Sequence, residues 1–162
     1  MNLNNATKLV LLLMLVAVIT GCGRHEYVKP PSVMPVSELE RFHWVISVKE
    51  STLDLQASNG DAKGIVQITY SVTDELNKVY RTNFSPRMCM GNKEKSWKMM
   101  DMYLNRPEMQ KVFGSNPSWA DKAGSWRAGI YGYTHGRGRA YIERCKQIEA
   151  QMGWGGPNSL FK

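Results

Sequence analysis

The chain has 162 residues, with 21 Lys and Arg against 14 Asp and Glu, a formal net charge of +7. That length supports one domain with a core of its own and excludes two. The positive excess is modest and spread along the chain, which suits an anionic wall polymer or a lipid surface, and no nucleic-acid partner is expected.

The first residues are not fold material. MNLNNATK ends in Lys8 and leads into LVLLLMLVAVITG, an apolar run of signal-peptide length, too short and too abruptly ended for a comfortable membrane span. The run stops at Gly21-Cys22 after Ile19 and Thr20. This ending resembles a bacterial lipoprotein box, which implies that residues 1–21 are a signal peptide and that Cys22 receives the lipid. The other reading is an uncleaved N-terminal anchor, and both place the remainder outside the cytoplasm on a membrane. Removal of 21 residues leaves 141, and loss of Lys8 lowers the formal charge to +6. The same resemblance, with Gly23 rather than aspartate after the cysteine, implies an outer-membrane lipoprotein facing the periplasm in a Gram-negative host.

Residues 22–36 include Pro30, Pro31 and Pro35 and show little periodicity, which predicts an extended tether. At about 3 Å per residue such a segment holds a domain roughly 40 Å from its anchor. The folded domain is expected over 37–152. Ser37 with Glu40 makes a capping-box pattern, and Pro35 keeps the helix from starting earlier. The spacing predicts a helix over 38–51 with a buried stripe of Leu39, Phe42 and Ile46, whose next position is Glu50. Asn59-Gly60 signals a tight turn, Ala62 to Ile68 can form a short extended arm, and Ser71 is expected to cap the next helix.

Further along, residues 92–104 read as a helix with Trp97, Met100 and Leu104 on its apolar face, ended by Pro107, and the methionines read as core filler. Ser118 with Asp121 begins a helix through about Tyr131, a glycine-rich bend carries Gly132 to Gly138, and Ala140 to Met152 forms a last helix. Residues 153–162 read as a loosely packed tail. The fold class is mainly α, with a small β-hairpin element. Cys89 and Cys145 lie far apart in sequence; in an oxidising compartment they either clamp the later helices as a disulfide or stay as buried thiols.

The chemistry centres on Glu50. A carboxylate forced against an apolar face loses hydration, which disfavours its charged form and suits it to donate a proton. The other reading is an exposed helix-end acid paired with Lys49 or Lys63. Glu50-Ser51 followed by Gly64-Ile65-Val66-Gln67-Ile68 resembles the signature of lytic transglycosylases of the soluble lytic transglycosylase family, where a catalytic Glu-Ser pair ends a helix and a G-L-M-Q-I type segment follows. Gly132-Tyr133-Thr134-His135-Gly136-Arg137-Gly138-Arg139 is a looser echo of the family's A-Y-N-A-G-P-G-R turn. Tyr133 aligns with its tyrosine, Tyr131 being the equivalent if the bend is shifted, and Thr134 stands where the family has asparagine. Met102-Tyr103-Leu104 falls where the family carries a Y-L element.

The resemblance, covering about a hundred residues up to Cys145, implies a lysozyme-like fold acting on peptidoglycan glycan strands. It implies cleavage between N-acetylmuramic acid and N-acetylglucosamine without water, closing the muramyl sugar as a 1,6-anhydro product, with Glu50 as both acid and base and no cofactor. Substrate contacts would come from Ser51, Gln67, Tyr133 or Tyr131, and Thr134. In the plainer readings Ser51 is a polar helix terminus, Gln67 an outward-facing residue and Tyr133 a core tyrosine.

A hydrolytic muramidase would need a second carboxylate, for which Asp61 and Asp54 are the candidates. A lipid-anchored, non-catalytic wall-binding protein is the third reading. His25, His43 and His135 are scattered, so no metal site is expected, and no G-x-S-x-G elbow occurs. Arg137 and Arg139 read either as contacts to muramyl peptide carboxylates or lipid phosphates, or as solvated surface.

Overall fold

A computed structural model describes residues 25–35 and 37–162; the expected signal peptide and Cys22 lie outside them. The described part is mainly helical. Helix α1 spans Glu38–Ser51, the strands β1 and β2 are Ser58–Asn59 and Ala62–Lys63, and α2 is Tyr70–Tyr80. A 3-10 turn covers Pro86–Cys89, followed by α3 (Lys93–Leu104), α4 (Pro107–Phe113), α5 (Trp119–Thr134) and α6 (Arg139–Gln151). The strands form one antiparallel hairpin in which Ser58 faces Lys63 and Asn59 faces Ala62. No described helix is long and apolar enough to cross a membrane.

Helix α1 starts where the capping pattern places it, with the Ser37 hydroxyl accepting from the Glu40 amide at 3.4 Å. Its buried face keeps two of the three expected stripe residues, Phe42 and Ile46, and loses the third. Leu39 is exposed, whereas Phe42, Val45 and Ile46 are sealed in the core with Trp44 close behind. A helix apolar on more than half its circumference is oriented by its partners rather than by its own stripe. Here Phe42 meets Trp119 of α5 at 5.0 Å and Phe161 at 6.2 Å between ring centres, and Trp44 meets the edge of Trp97 on α3 at 5.2 Å. Polar groups follow the same joint. The Trp97 indole donates to Ser47 Oγ at 2.9 Å, Ser47 donates to the His43 carbonyl at 2.7 Å, and His43 pairs with Asp101 at 2.7 Å.

Several elements differ from expectation. Ser71 does not cap α2: Thr69 does, accepting from the Val72 amide at 3.4 Å. Pro107 ends α3 and also opens α4, because a proline at the first helical position gives up only an N–H that has no helical acceptor. The Ser118–Asp121 capping box is present, yet α5 runs on to Thr134 across a break at Gly129, whose φ of 70° and ψ of 161° no helix tolerates. Cys89 and Cys145 are both free thiols buried in the core, Cys89 lying 3.4 Å from the Met99 sulfur, so the disulfide alternative is set aside.

Both flanking segments are bound to the domain. Residues 26–28 pair with the loop after α1: the Val28 amide donates to Leu53 O at 2.9 Å, the Leu55 amide to Glu26 O at 2.7 Å, and Tyr27 bridges Asp54. At the other end of α1, Pro35 is buried and Arg41 donates to the Met34 sulfur at 3.6 Å. The expected tether is therefore a strap laid back along α1. Proline suits that path because an unpaired extended strap has no partner for its N–H groups.

The expected tail is packed too, with Trp154, Leu160 and Phe161 in the core. Its clamp is Glu149, fully buried on α6, which accepts from the Leu160 amide at 3.1 Å and Ser159 Oγ at 2.6 Å and faces Arg41 Nη1 at 3.9 Å. Arg41 in turn donates to the Asn158 carbonyl at 2.9 Å. Removing one partner from such a cluster strands buried polar groups. Glu149→Ala is expected to lower unfolding stability by about 3 kcal/mol in a urea titration, with Phe161 becoming solvent-accessible.

Candidate active site

Helix α1 ends just past Glu50 because the chain after Ser51 turns left-handed. Thr52 and Leu53 have φ of 55° and 69°, values that cost a β-branched or bulky residue energy unless neighbours hold them. Holding them are the Asp54 amide, which donates to Ser51 O at 3.2 Å, and Val28 of the strap, whose amide donates to Leu53 O. The sharp stop leaves Glu50 half-buried at the edge of a cleft of about 400 Å³.

The cleft is lined by Glu50, by Asn59 and Ala62 of the hairpin, by Gln67, Thr69, Ser71 and Val72 leading into α2, by Tyr103 of α3, and by Trp126, Arg127 and Gly129 of α5. One Glu50 oxygen is fixed from below: Tyr141 Oη on α6 donates to Glu50 Oε1 at 2.6 Å. Tyr141 is buried, and burial, followed by the nearby Glu50 charge, holds its hydroxyl well above the usual tyrosine range. It is therefore a donor, never a phenolate, at any pH near neutrality. Lys49 Nζ lies 5.0 Å over the same ring.

Gln67 reaches the cleft by a route other than the expected strand. Lys63 and Ile68 exchange backbone hydrogen bonds at 2.8 and 2.9 Å, closing a four-residue turn in which Gln67 is left-handed with φ of 57°. Its Nε2 donates to Gly64 O at 2.8 Å, and the residue lines the cleft. Ile65, Val66 and Ile68 point inward and are wholly buried. Gly64 is required at its place: φ is 74°, and a Cβ there would sit 2.6 Å from the Cys89 carbonyl oxygen. Tyr103 and Trp126 meet edge to face at 5.7 Å, and the Arg106 guanidinium, paired with Glu75 at 2.7 Å, lies 3.6 Å over the Tyr103 ring.

Of the residues singled out in the sequence, Glu50 and Gln67 share the cleft, and so does Tyr103 of the Y-L element. The others do not line it. Ser51 donates back to Ser47 O at 3.1 Å as a helix-end hydroxyl. Tyr133 packs its ring directly over Gly124, so close that a Cβ there would lie 2.3 Å from it. Tyr131 is 73% exposed on the far side of the Gly129 break, and Thr134 donates to the Tyr131 carbonyl at 2.9 Å on the surface. The tyrosine beside the acid is Tyr141, eight residues beyond the one aligned. Asp54 is buried and engaged by His25 at 2.5 Å and the Gln56 amide at 2.9 Å, while Asp61 is exposed at the hairpin turn; neither lines the cleft. Among the described residues no group of three or more His, Cys, Asp or Glu gathers to hold a metal.

The wall around the site contains groups that are neutral when folded. Burial raises the Cys145 thiol from 9.0 to about 12, and burial likewise raises Tyr141 and Tyr103. Each ionises more readily in the unfolded chain, so its stabilising contribution is complete below the unfolded pKa and is lost as pH climbs toward the folded one. The melting midpoint is expected to fall from about pH 9 to about pH 11, and to fall less in Cys145→Ala, by calorimetry across that range.

Compared with protein-family models, curated proteins and solved structures, the chain matches none of them, so any functional reading rests on the residues of the cleft.

Proposed function

We propose that the protein is a membrane-anchored peptidoglycan lytic transglycosylase with a lysozyme-like site in which Glu50 is the general acid and base. The observation that carries this reading is the hydrogen bond from Tyr141 to Glu50 Oε1 at the edge of the cleft. It fixes the carboxyl rotamer and leaves Oε2 to hold the proton. The lining supports a carbohydrate ligand: Asn59, Gln67, Thr69 and Ser71 offer neutral donors and acceptors for hydroxyl and amide groups, and Tyr103 and Trp126 offer aromatic surface for the apolar faces of sugar rings.

The chemistry needs one acid. Glu50 protonates the bridging oxygen as the bond from muramyl C1 breaks; the resulting carboxylate then takes the proton of the C6 hydroxyl as O6 bonds to C1. The proton returns to Glu50 and no water is consumed. A hydrolase would add a second carboxylate at about 5 to 9 Å. Glu50 is the sole acid among the residues lining the cleft, and the buried Asp54 and exposed Asp61 lie off it, which favours the single-acid route.

The test is digestion of purified sacculi by the full chain in detergent, with mass analysis of the products. The parent is expected to yield anhydro-muramyl ends and Glu50→Gln to lose at least about a hundredfold in rate. Tyr141→Phe, which keeps the ring and removes the donor, is expected to lower kcat by about tenfold or more with KM little changed. Reducing ends would point to hydrolysis, and glycan binding without products to an adaptor.

A further inference from the structure

The strap bears on how the domain sits at a membrane. Its first described residue, His25, is already tied to the domain through Asp54, and only Gly23 and Arg24 separate it from Cys22. Two intervening residues reach about 10 Å when fully extended, not the roughly 40 Å of a free tether. The segments around the anchored end also expose apolar and cationic side chains. Leu55 lies between the strap and the segment after the 3-10 turn: its amide donates to Glu26 O at 2.7 Å and its carbonyl accepts from Gly91 at 2.9 Å. The chain neighbours of those two partners are Tyr27, 64% exposed, and Met90, 37% exposed. Met88 is exposed in the turn, and Arg87 and Lys29 are exposed cations on the two segments; Glu26 is the one acid within residues 25–29 and 87–91, with the exposed Glu94 beyond them.

We infer that this face, built from residues 25–29 and 87–91, is a docking surface for an anionic phospholipid bilayer, and that it holds the domain flush on the membrane. The inference rests on the lipid proposed at Cys22. A tyrosine and methionines exposed on the same two segments as an Arg and a Lys match the headgroup boundary, where amphipathic rings settle and cations meet anionic lipid. The lipid supplies reversible hydrophobic anchoring, and the basic and apolar face is the second signal that makes such anchoring lasting. The docked strap converts the two into a single rigid attachment. Because Val28 holds the left-handed turn that ends α1, the cleft keeps a fixed height above the bilayer.

The experiment uses the full chain carrying its acyl groups, reconstituted in vesicles of phosphatidylethanolamine with phosphatidylglycerol and, separately, in phosphatidylcholine alone. Hydrogen exchange at residues 86–91 is expected to slow by about fivefold or more on the anionic vesicles, and not in the double variant Arg87→Glu with Met90→Glu. Neutron reflectometry on a supported bilayer is expected to find protein density starting within about 10 Å of the headgroups. A lipidated chain with a thick water layer beneath the domain, or exchange that ignores lipid charge and the double variant, would overturn the docking while leaving the sacculus chemistry of Glu50 standing. A chain whose Cys22 bears no acyl group by mass spectrometry would overturn the anchor and the docking together.

Discussion

The hydrogen bond between Tyr141 and Glu50 joins the last turn of α1 to the first turn of α6, two places 91 residues apart in the chain. For the phenol to lie there, α6 must be packed on α1, and α6 is fixed in turn by α5 and by the buried Glu149 at its far end. The acid is therefore set by the whole helical assembly and not by its own helix. Its other surroundings are local: the two left-handed residues after Ser51 end α1 and turn the chain aside just past Glu50.

Helix α1 is the spine to which both flanking segments return. The proline strap runs beside it from Leu53 to Arg41, and residues 158–161 close over its first turns through Arg41 and Phe42. A helix with so little sequence amphipathicity would be poorly oriented alone; buried on most sides, it is fixed by being surrounded. The same encirclement explains the buried Arg41, a long side chain whose guanidinium meets three different segments rather than one.

Much of this was legible in the residues, and the gaps have physical causes. Capping chemistry located α1 and the start of α5, because Ser37 and Ser118 act through hydrogen bonds three residues away, while the apolar spacing of Trp97, Met100 and Leu104 located α3. Glu50 and Gln67 were legible because a short motif fixed both, although Gln67 sits in a left-handed turn that an apolar, β-branched run gave no reason to expect. Tyr141 was missed because three late tyrosines are alike in sequence. What separates them is the backbone break at Gly129, which sends Tyr131 outward and lets Tyr133 fold onto Gly124. Trp126 and Arg127, Thr69 and Asn59 came from three separate places, brought together only by packing. The strap and the final residues were misjudged because proline and glycine content speaks to regular structure, not to docking.

The Glu149 cluster sets an order of events. Its carboxylate is sealed inside, yet its partners at Ser159 and Leu160 come ten and eleven positions later. Until those positions are present the acid has no full complement of donors, and the native arrangement of α6, with Tyr141 near its start, stays unfavourable. Such a late-arriving keystone leaves the helix unfinished until the last residues of the domain are in place, so a chain cut short of Ser159 is expected to lack the assembled cleft.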